Sequence, residues 1–355
     1  MFFLYRQNFL IHVTDNCNLD CLYCYRDSRK NNIVNIDTLD RLFSESKRVG
    51  IKKLGIIWHG GEPTLAGYDF FYEANKVLKK YFDKSDIKQS IQTNGTLIDE
   101  NFVKLFELTK MKVGISLEPI REIHNNFRFF KNGDESFDKV LNAIDMLKYY
   151  KINYSTISVI SDSFFGLEEK LYENLIDITE KANLNPYIRM GKNSKNFSFN
   201  IDKVIEIYRN LYEIWKNDDK RIILNPFVEM TESLLFNRSN VCSLSCESCF
   251  SFLALDSLGD LYVCNRLVNN NDFKLGNILE TKLEEILRSD VIKKQYVHYK
   301  KIYQECNGCE FLDNCNGGCY SDSLTNRSSE KTPFCKLYKT LFSVIKKDLG
   351  DVING

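Results

Sequence analysis

Histidine, tryptophan and proline are scarce in this 355-residue chain, which carries 4, 2 and 5 of them. Four histidines are too few for a histidine-based site, so His12, His124 and His298 are read as structural. His59 is of interest only for its place beside Gly60. Net charge is also missing: Lys+Arg 48 balances Asp+Glu 48, which argues against a nucleic-acid binder or a membrane-surface protein. No apolar run approaches membrane-spanning length and no signal peptide is evident, so the reading is a soluble, cytoplasmic protein. A serine-hydrolase elbow, a phosphate loop, a paired-carboxylate signal, an internal repeat and a Pro/Gly-rich linker are all lacking. The most telling absence is local. The chain has 12 cysteines, yet none falls between residues 25 and 241. A disulfide framework would have no reason to leave such a gap, and in a reducing compartment metal ligation is the better account.

What is present is first a core. At 43% hydrophobic content the chain can bury one large domain and a smaller one. Short apolar runs at Phe9–Val13, Leu54–Trp58, Ser90–Thr93, Val113–Leu117, Ser155–Ile160 and Pro186–Arg189 alternate with helical patterns at 37–49, 69–82, 99–109, 136–150 and 167–182. That alternation implies parallel βαβ units. Six strands are too few to close an eight-stranded barrel, so the fold class is α/β, a partial (β/α)6 barrel with an open side. Residues 196–240 read as a helical connector, with helices at Ile201–Asp218 and Pro226–Phe236, after a barrel over 1–195. From 241 to 355 the cysteines organise a further domain, with a hairpin around Gly259, a short helix at Thr281–Ser289 and a final helix at Cys335–Leu349.

In such folds the chemistry sits on loops leaving the C-terminal ends of strands. Cys17, Cys21 and Cys24 follow the first strand. His59-Gly60-Gly61-Glu62-Pro63 follows the second, Asn94-Gly95 the third, and Ser116-Leu117-Glu118 ends the fourth. Three thiolates on one tight loop can hold three corners of a [4Fe–4S] cube and leave one iron open to a small molecule. A zinc loop would instead supply Cys-x2-Cys pairs and close with four ligands. Glycines let backbone approach a ligand closely, and one carboxylate can pair with an ammonium.

Cys17-x3-Cys21-x2-Cys24, with Tyr23 before the last cysteine, resembles the cluster motif of the radical SAM superfamily. Gly60, Gly61, Glu62 and Pro63 resemble its segment for the methionine amino group of S-adenosylmethionine, Ile91–Ile98 with Asn94 its third-strand segment, and Ser116 its contact to the methionine carboxylate. The resemblance implies that an electron enters the cluster, S-adenosylmethionine is cleaved, and a 5′-deoxyadenosyl radical takes hydrogen from a substrate. Cys249-x9-Gly259-x4-Cys264, Cys306-x2-Cys309-x5-Cys315-x3-Cys319 and Cys335 are similar to the seven-cysteine SPASM pattern. This implies two auxiliary [4Fe–4S] clusters, hence three clusters in all. Cys306, Cys309, Cys315 and Cys335 would hold the distal one, and Cys249, Cys264 and Cys319 part of the proximal one. The fourth proximal ligand normally stands six residues before Cys249, where this chain has Ser243. Cys242 and Cys246 both remain candidates.

Gly61–Gly67 and Ser90–Ile98 are especially close to anaerobic sulfatase-maturating enzymes and to SPASM maturases of ribosomally made peptides. Sulfatase maturases carry an aspartate base directly after the cysteine equivalent to Cys264, whereas this chain has Asn265, and an amide cannot accept a proton near neutral pH. Glu118-Pro119 also replaces the family's Asp-Gly-Pro. The preferred reading is therefore a peptide maturase that forms a thioether or carbon–carbon crosslink or epimerises a residue. Sulfatase maturation is the runner-up and a non-catalytic iron–sulfur carrier the third reading. No catalytic residue is assigned. The implied partners are a peptide or protein substrate and an electron donor such as flavodoxin or ferredoxin; with only sixteen residues before Cys17, the peptide would be presented by a separate leader-binding protein or recognised directly by the barrel and SPASM surfaces.

Overall fold

The computed structural model describes residues 5–26, 31–191, 199–219, 221–237, 239, 241–326 and 329–354, with backbone alone for Cys246, Glu247 and 351–354. Ten strands form one sheet in the order β10-β9-β8-β1-β2-β3-β4-β5-β6-β7. The strands are β1 (Arg6–Thr14), β2 (Lys53–Gly60), β3 (Ile87–Thr93), β4 (Lys112–Ser116), β5 (Tyr154–Ile160), β6 (Lys181–Pro186), β7 (Ile223–Asn225), β8 (Phe252–Leu255), β9 (Asp260–Tyr262) and β10 (Lys274–Asn277). From β1 to β7 every pairing is parallel, as right-handed βαβ crossovers require. β7 and β10 stand at the two edges, so the sheet stays open. Strand β1 is buried along almost its whole length because elements cover both its faces, the usual state of a central parallel strand.

Helices Ile36–Arg48, Gly67–Tyr81, Glu100–Thr109 and Phe137–Tyr149 follow β1 to β4 as the pattern predicts. Asn35 caps the first of them by accepting from Asp37 N–H, two residues before the aspartate that itself has the chemistry of a cap. The sixth strand lies at Lys181–Pro186 rather than Pro186–Arg189, and the helix before it ends at Ile178. Ala182 and Leu184 alternate inward there, a two-residue signal too short to stand out against the preceding helical period. Helix Asp290–Glu305 has no counterpart in the sequence reading, because only Gln295, Tyr299 and Ile302 are buried on its otherwise polar surface. Helices Ile201–Lys216 and Phe227–Phe236 share a second core with the final helix, Cys335–Asn354, through Leu211, Met230, Leu341 and Phe342.

The cysteine-rich region is not hung on the barrel by a linker. Strand β8 pairs parallel to β1, Asn8 opposite Phe252 and Ile11 opposite Leu255, and β9 and β10 extend that edge antiparallel. Gly259 turns the β8–β9 hairpin at φ 91°. Strand β9 runs back toward the start of β1, and the loop that begins at Cys264 is tied to the site by Asn265, which hydrogen-bonds His12 on β1 and Tyr25 beyond the triplet.

Candidate radical and iron–sulfur sites

The triplet loop is stitched to its neighbours by backbone. Asp20 N–H and Leu22 N–H donate to the carbonyls of Phe129 and Phe127 (2.9 Å each), beyond β4. Asn94 Nδ2 donates to Asn18 Oδ1 at 2.8 Å and lies 3.9 Å from Cys17 Sγ. Burial pushes the Cys21 thiol up to about 12, with Arg128 opposing and Cys17 and Cys24 adding to the rise. The three sulfurs thus stand close enough to repel one another when ionised, a group that a cationic metal core would relieve.

Gly60 and Gly61 let the second loop lie directly on the first. A Cβ on Gly61 would sit 2.2 Å from the Asn16 carbonyl oxygen, and one on Gly60, at φ +129°, would sit 2.3 Å from that of Thr14. Gly61 N–H and Glu62 N–H donate to those same carbonyls at 2.8 Å each. Glu62 is fully buried, and its carboxylate is occupied by the protein. Oε1 accepts from Thr64 N–H (3.0 Å), Thr64 Oγ1 (2.6 Å) and Thr93 Oγ1 (2.6 Å), and Oε2 from Asn94 N–H (2.7 Å). Burial raises its pKa against those four bonds. The carboxylate therefore ties the ends of β2 and β3 together. Ser116 Oγ accepts from Gln92 Nε2 at 2.9 Å.

The first site also contains a cation that the sequence did not single out. Arg128 Nε donates to Glu118 Oε2 at 2.5 Å, both side chains being buried. The guanidinium carbon lies 5.1 Å from the Tyr23 ring centroid, and Nη1 reaches within 4.0 Å of Cys21 Sγ. Arg128 stands twelve residues beyond the fourth strand, and nothing in its local pattern marks it. His12, read as structural, also belongs to this rim. It stacks on His59 (centroids 5.9 Å apart) and accepts from Arg26. His124 is structural as expected, held by Ser136 Oγ at 3.0 Å.

In the C-terminal region the thiols sort into two groups. Cys306, Cys309, Cys315 and Cys335 line one cavity of about 180 Å³ together with Gly308 and Gly317. Burial, then Cys335 and Cys306, push Cys315 up to about 12. Cys319 is pushed well above the ordinary thiol range by burial and Asp322, with Cys264 and Cys242 contributing. Burial raises Tyr320 to about 12, with Cys249 and Cys264 adding, and Gln295 Nε2 donates to Cys249 Sγ at 3.5 Å. Cys242 therefore stands with Cys264 and Cys319, and Cys249 and Cys264 both neighbour Tyr320. The Cys246 side chain lies outside the described residues. A single zinc ion would draw its thiolates onto bonds of about 2.3 Å. Among the described residues no three His, Cys, Asp or Glu side chains close that tightly on one point.

Open-sided parallel barrel, three-thiolate loop and glycine loop define a radical enzyme, and comparison with known families agrees. Residues 11–163 match the Radical SAM superfamily, and residues 242–310 match SPASM, an iron–sulfur cluster-binding domain. The chain belongs to the radical SAM enzymes that carry a SPASM domain. A cysteine-type anaerobic sulfatase-maturating enzyme of Clostridium perfringens is 27% identical over 359 residues, 96% of each chain. A serine-type enzyme of Bacteroides thetaiotaomicron is 26% identical, covering 92% of this chain and 86% of its own. Among solved structures, anSMEcpe with bound AdoMet and Cp18Cys peptide superposes at TM-score 0.87 with 26% identity over 98% of both chains. Streptococcus suis SuiB bound to precursor peptide SuiA shares the fold at TM-score 0.66 and 18% identity, over 93% of this chain and 75% of its own. No described helix is long and apolar enough to cross a membrane.

Proposed function

We propose that this radical SAM enzyme oxidises a side chain within a polypeptide, in the manner of the anaerobic sulfatase-maturating enzymes. The observation that carries this reading is likeness along the whole chain, at 96% coverage of both sequences, to such an enzyme. It moves the reading away from crosslinking or epimerisation, which the sequence favoured on the strength of Asn265. The second reading keeps one observation in its favour: Asn265 is clasped by His12 and Tyr25, and its amide offers no base.

In this proposal Cys17, Cys21 and Cys24 would hold the radical cluster. When bound, that cluster and S-adenosylmethionine supply the 5′-deoxyadenosyl radical. Gly60, Gly61, Asn94, Ser116 and Tyr23 would line the S-adenosylmethionine site, with Glu62 fixing the glycine backbone rather than meeting the ammonium. Cys306, Cys309, Cys315 and Cys335 would hold a second cluster. Cys249, Cys264 and Cys319 with Cys242 would hold a third, leaving Cys246 outside it. The barrel (1–195), connector (196–240) and SPASM domain (241–355) are the working division. A flavodoxin or ferredoxin would supply electrons, and a separate leader-binding protein belongs only to the second reading. Anaerobic reconstitution with S-adenosylmethionine, dithionite and the Cp18Cys peptide tests this. The expected result is 5′-deoxyadenosine together with loss of sulfur and gain of an aldehyde on the peptide by mass spectrometry. Absence of 5′-deoxyadenosine would sink the radical reading. Its formation with an unchanged peptide would favour the second reading.

A further inference from the structure

A cavity of about 380 Å³ opens beside the triplet, between the segment after Cys24 and the loop after Cys264. Tyr25, Arg26, Met190, Asn265 and Arg266 are among its walls. Gly191 packs the loop after β6 onto this segment: at φ +82° a Cβ there would sit 2.3 Å from the Cys24 carbonyl oxygen. The backbone on that side is therefore held in place.

A directional chain of hydrogen bonds ends in this wall. The Asp15 carboxylate accepts from Arg26 Nη2. Arg26 Nη1 donates to His12 Nδ1 at 2.7 Å, and its 3.2 Å distance to Nε2 is the longer of the two. A guanidinium has no acceptor, so Nδ1 carries the lone pair and the neutral ring carries its hydrogen on Nε2. Burial and then Arg26 lower His12 to about 4, which keeps the ring neutral. Nε2–H donates to Asn265 Oδ1, and Asn265 Nδ2 donates to Tyr25 Oη at 2.8 Å. Because Tyr25 Oη already accepts from Asn265, the hydroxyl has its own hydrogen to give. Arg26 Nε is a second donor, buried and without a partner among the described residues, an unfavourable state that an acceptor from a ligand would relieve. The Tyr25 hydroxyl is neutral, and the guanidinium charge behind Arg26 Nε–H is offset by Asp15. Asp15 faces Arg26 and Asp322 faces Arg266, while burial lowers His59 to about 3, so it is neutral as well. Two donors in a charge-balanced wall suit a neutral oxygen with two lone pairs.

We propose that Tyr25 Oη–H and Arg26 Nε–H clamp an amide carbonyl of the substrate polypeptide, with Asn265 and His12 as positioning residues. The proposal rests on the polypeptide reading above and adds the group by which the substrate is held. It also gives Asn265 a role that aspartate cannot fill. A carboxylate at 265 would accept the Tyr25 hydrogen and withdraw it from the substrate.

The test uses N-acetylglycine N-methylamide and acetate as probes with the reconstituted three-cluster holoenzyme. Paramagnetic relaxation of the probe methyl protons on dithionite reduction reports occupancy beside a cluster. The amide should be enhanced and acetate should not. Tyr25→Phe and the isosteric Asn265→Asp should each lower amide occupancy about two- to tenfold, the effect of one neutral hydrogen bond, at wild-type iron content. Preference for acetate, no enhancement with either probe, or amide occupancy unmoved in both variants would overturn the clamp. The wild-type comparison decides between carbonyl and anion even if a variant fails to fold. Failure of the radical reading is separate, since it appears as missing 5′-deoxyadenosine.

Discussion

Arg128→Met should be among the most damaging substitutions outside the cysteines. Arg128 and Glu118 are 9% and 0% exposed and joined at 2.5 Å. Without the guanidinium, Glu118 keeps Val159 N–H at 3.0 Å on Oε1, and its other oxygen is left buried without its cation. Breaking such a pair costs about 3–5 kcal/mol, and loss of the cation–π contact with Tyr23 adds about 1 kcal/mol. With about 2.1 cal/mol/K per residue, 355 residues give an unfolding entropy of about 0.75 kcal/mol/K. The expected loss of about 4–6 kcal/mol then lowers Tm by about 5–8 °C. Scanning calorimetry of cluster-loaded protein at one scan rate is the assay. Glu118→Gln in the Arg128→Met background removes the stranded charge and should restore at least about 2 kcal/mol, read as a coupling energy. If Arg128→Met shifts Tm by less than 1–2 °C, roughly the error of such bookkeeping, or Glu118→Gln restores nothing, the buried-pair argument is wrong.

Cys242→Ala should lose one cluster's worth of iron, about four of about twelve atoms, while Cys246→Ala keeps its iron; the reverse would reassign the proximal ligand. Gly61→Ala places a methyl 2.2 Å from the Asn16 carbonyl. Forcing that overlap apart should cost about 1–3 kcal/mol and weaken S-adenosylmethionine binding, as measured by equilibrium dialysis. Burial raises Glu229 from 4.5 to about 7. The folded state prefers its proton, so stability is complete below pH 4.5 and declines as pH rises through about 7. Glu229→Gln should therefore raise Tm at pH 8 and leave it unchanged at pH 4.5, and equal effects at both pH values would refute the assignment.

The barrel and its rim were readable because the parallel fold gives each strand a strong apolar run and each rim loop its own unusual residues. Cys17–Cys24, Gly60–Glu62, Asn94 and Ser116 announce themselves by spacing. Arg128, His12, Arg26 and Tyr25 do not, because each becomes part of the site only through a neighbour far off in sequence: Glu118, Asn265 or Asp15. Glu62 shows the opposite limit. Its motif was visible, but which partners a carboxylate takes depends on Thr93 and Asn94, thirty or so positions on.

The pairing of β8 with β1 explains why Asn265 and the cysteine triplet should be considered together. Four residue pairs, from Asn8–Phe252 to Ile11–Leu255, fix the register of the two strands. His12 directly follows the paired part of β1, and Asn265 begins the loop that the β8–β9 hairpin delivers. Asn265 lies beyond the end of β9, and its hydrogen bond to His12 joins that loop directly to β1. The SPASM domain therefore supplies part of the wall beside the radical site as well as holding further thiols. A substitution at Asn265 should then alter how substrate is held as well as any proton transfer. The two effects separate by experiment, because holding changes amide-probe occupancy without S-adenosylmethionine present and proton transfer changes only the product formed after its cleavage.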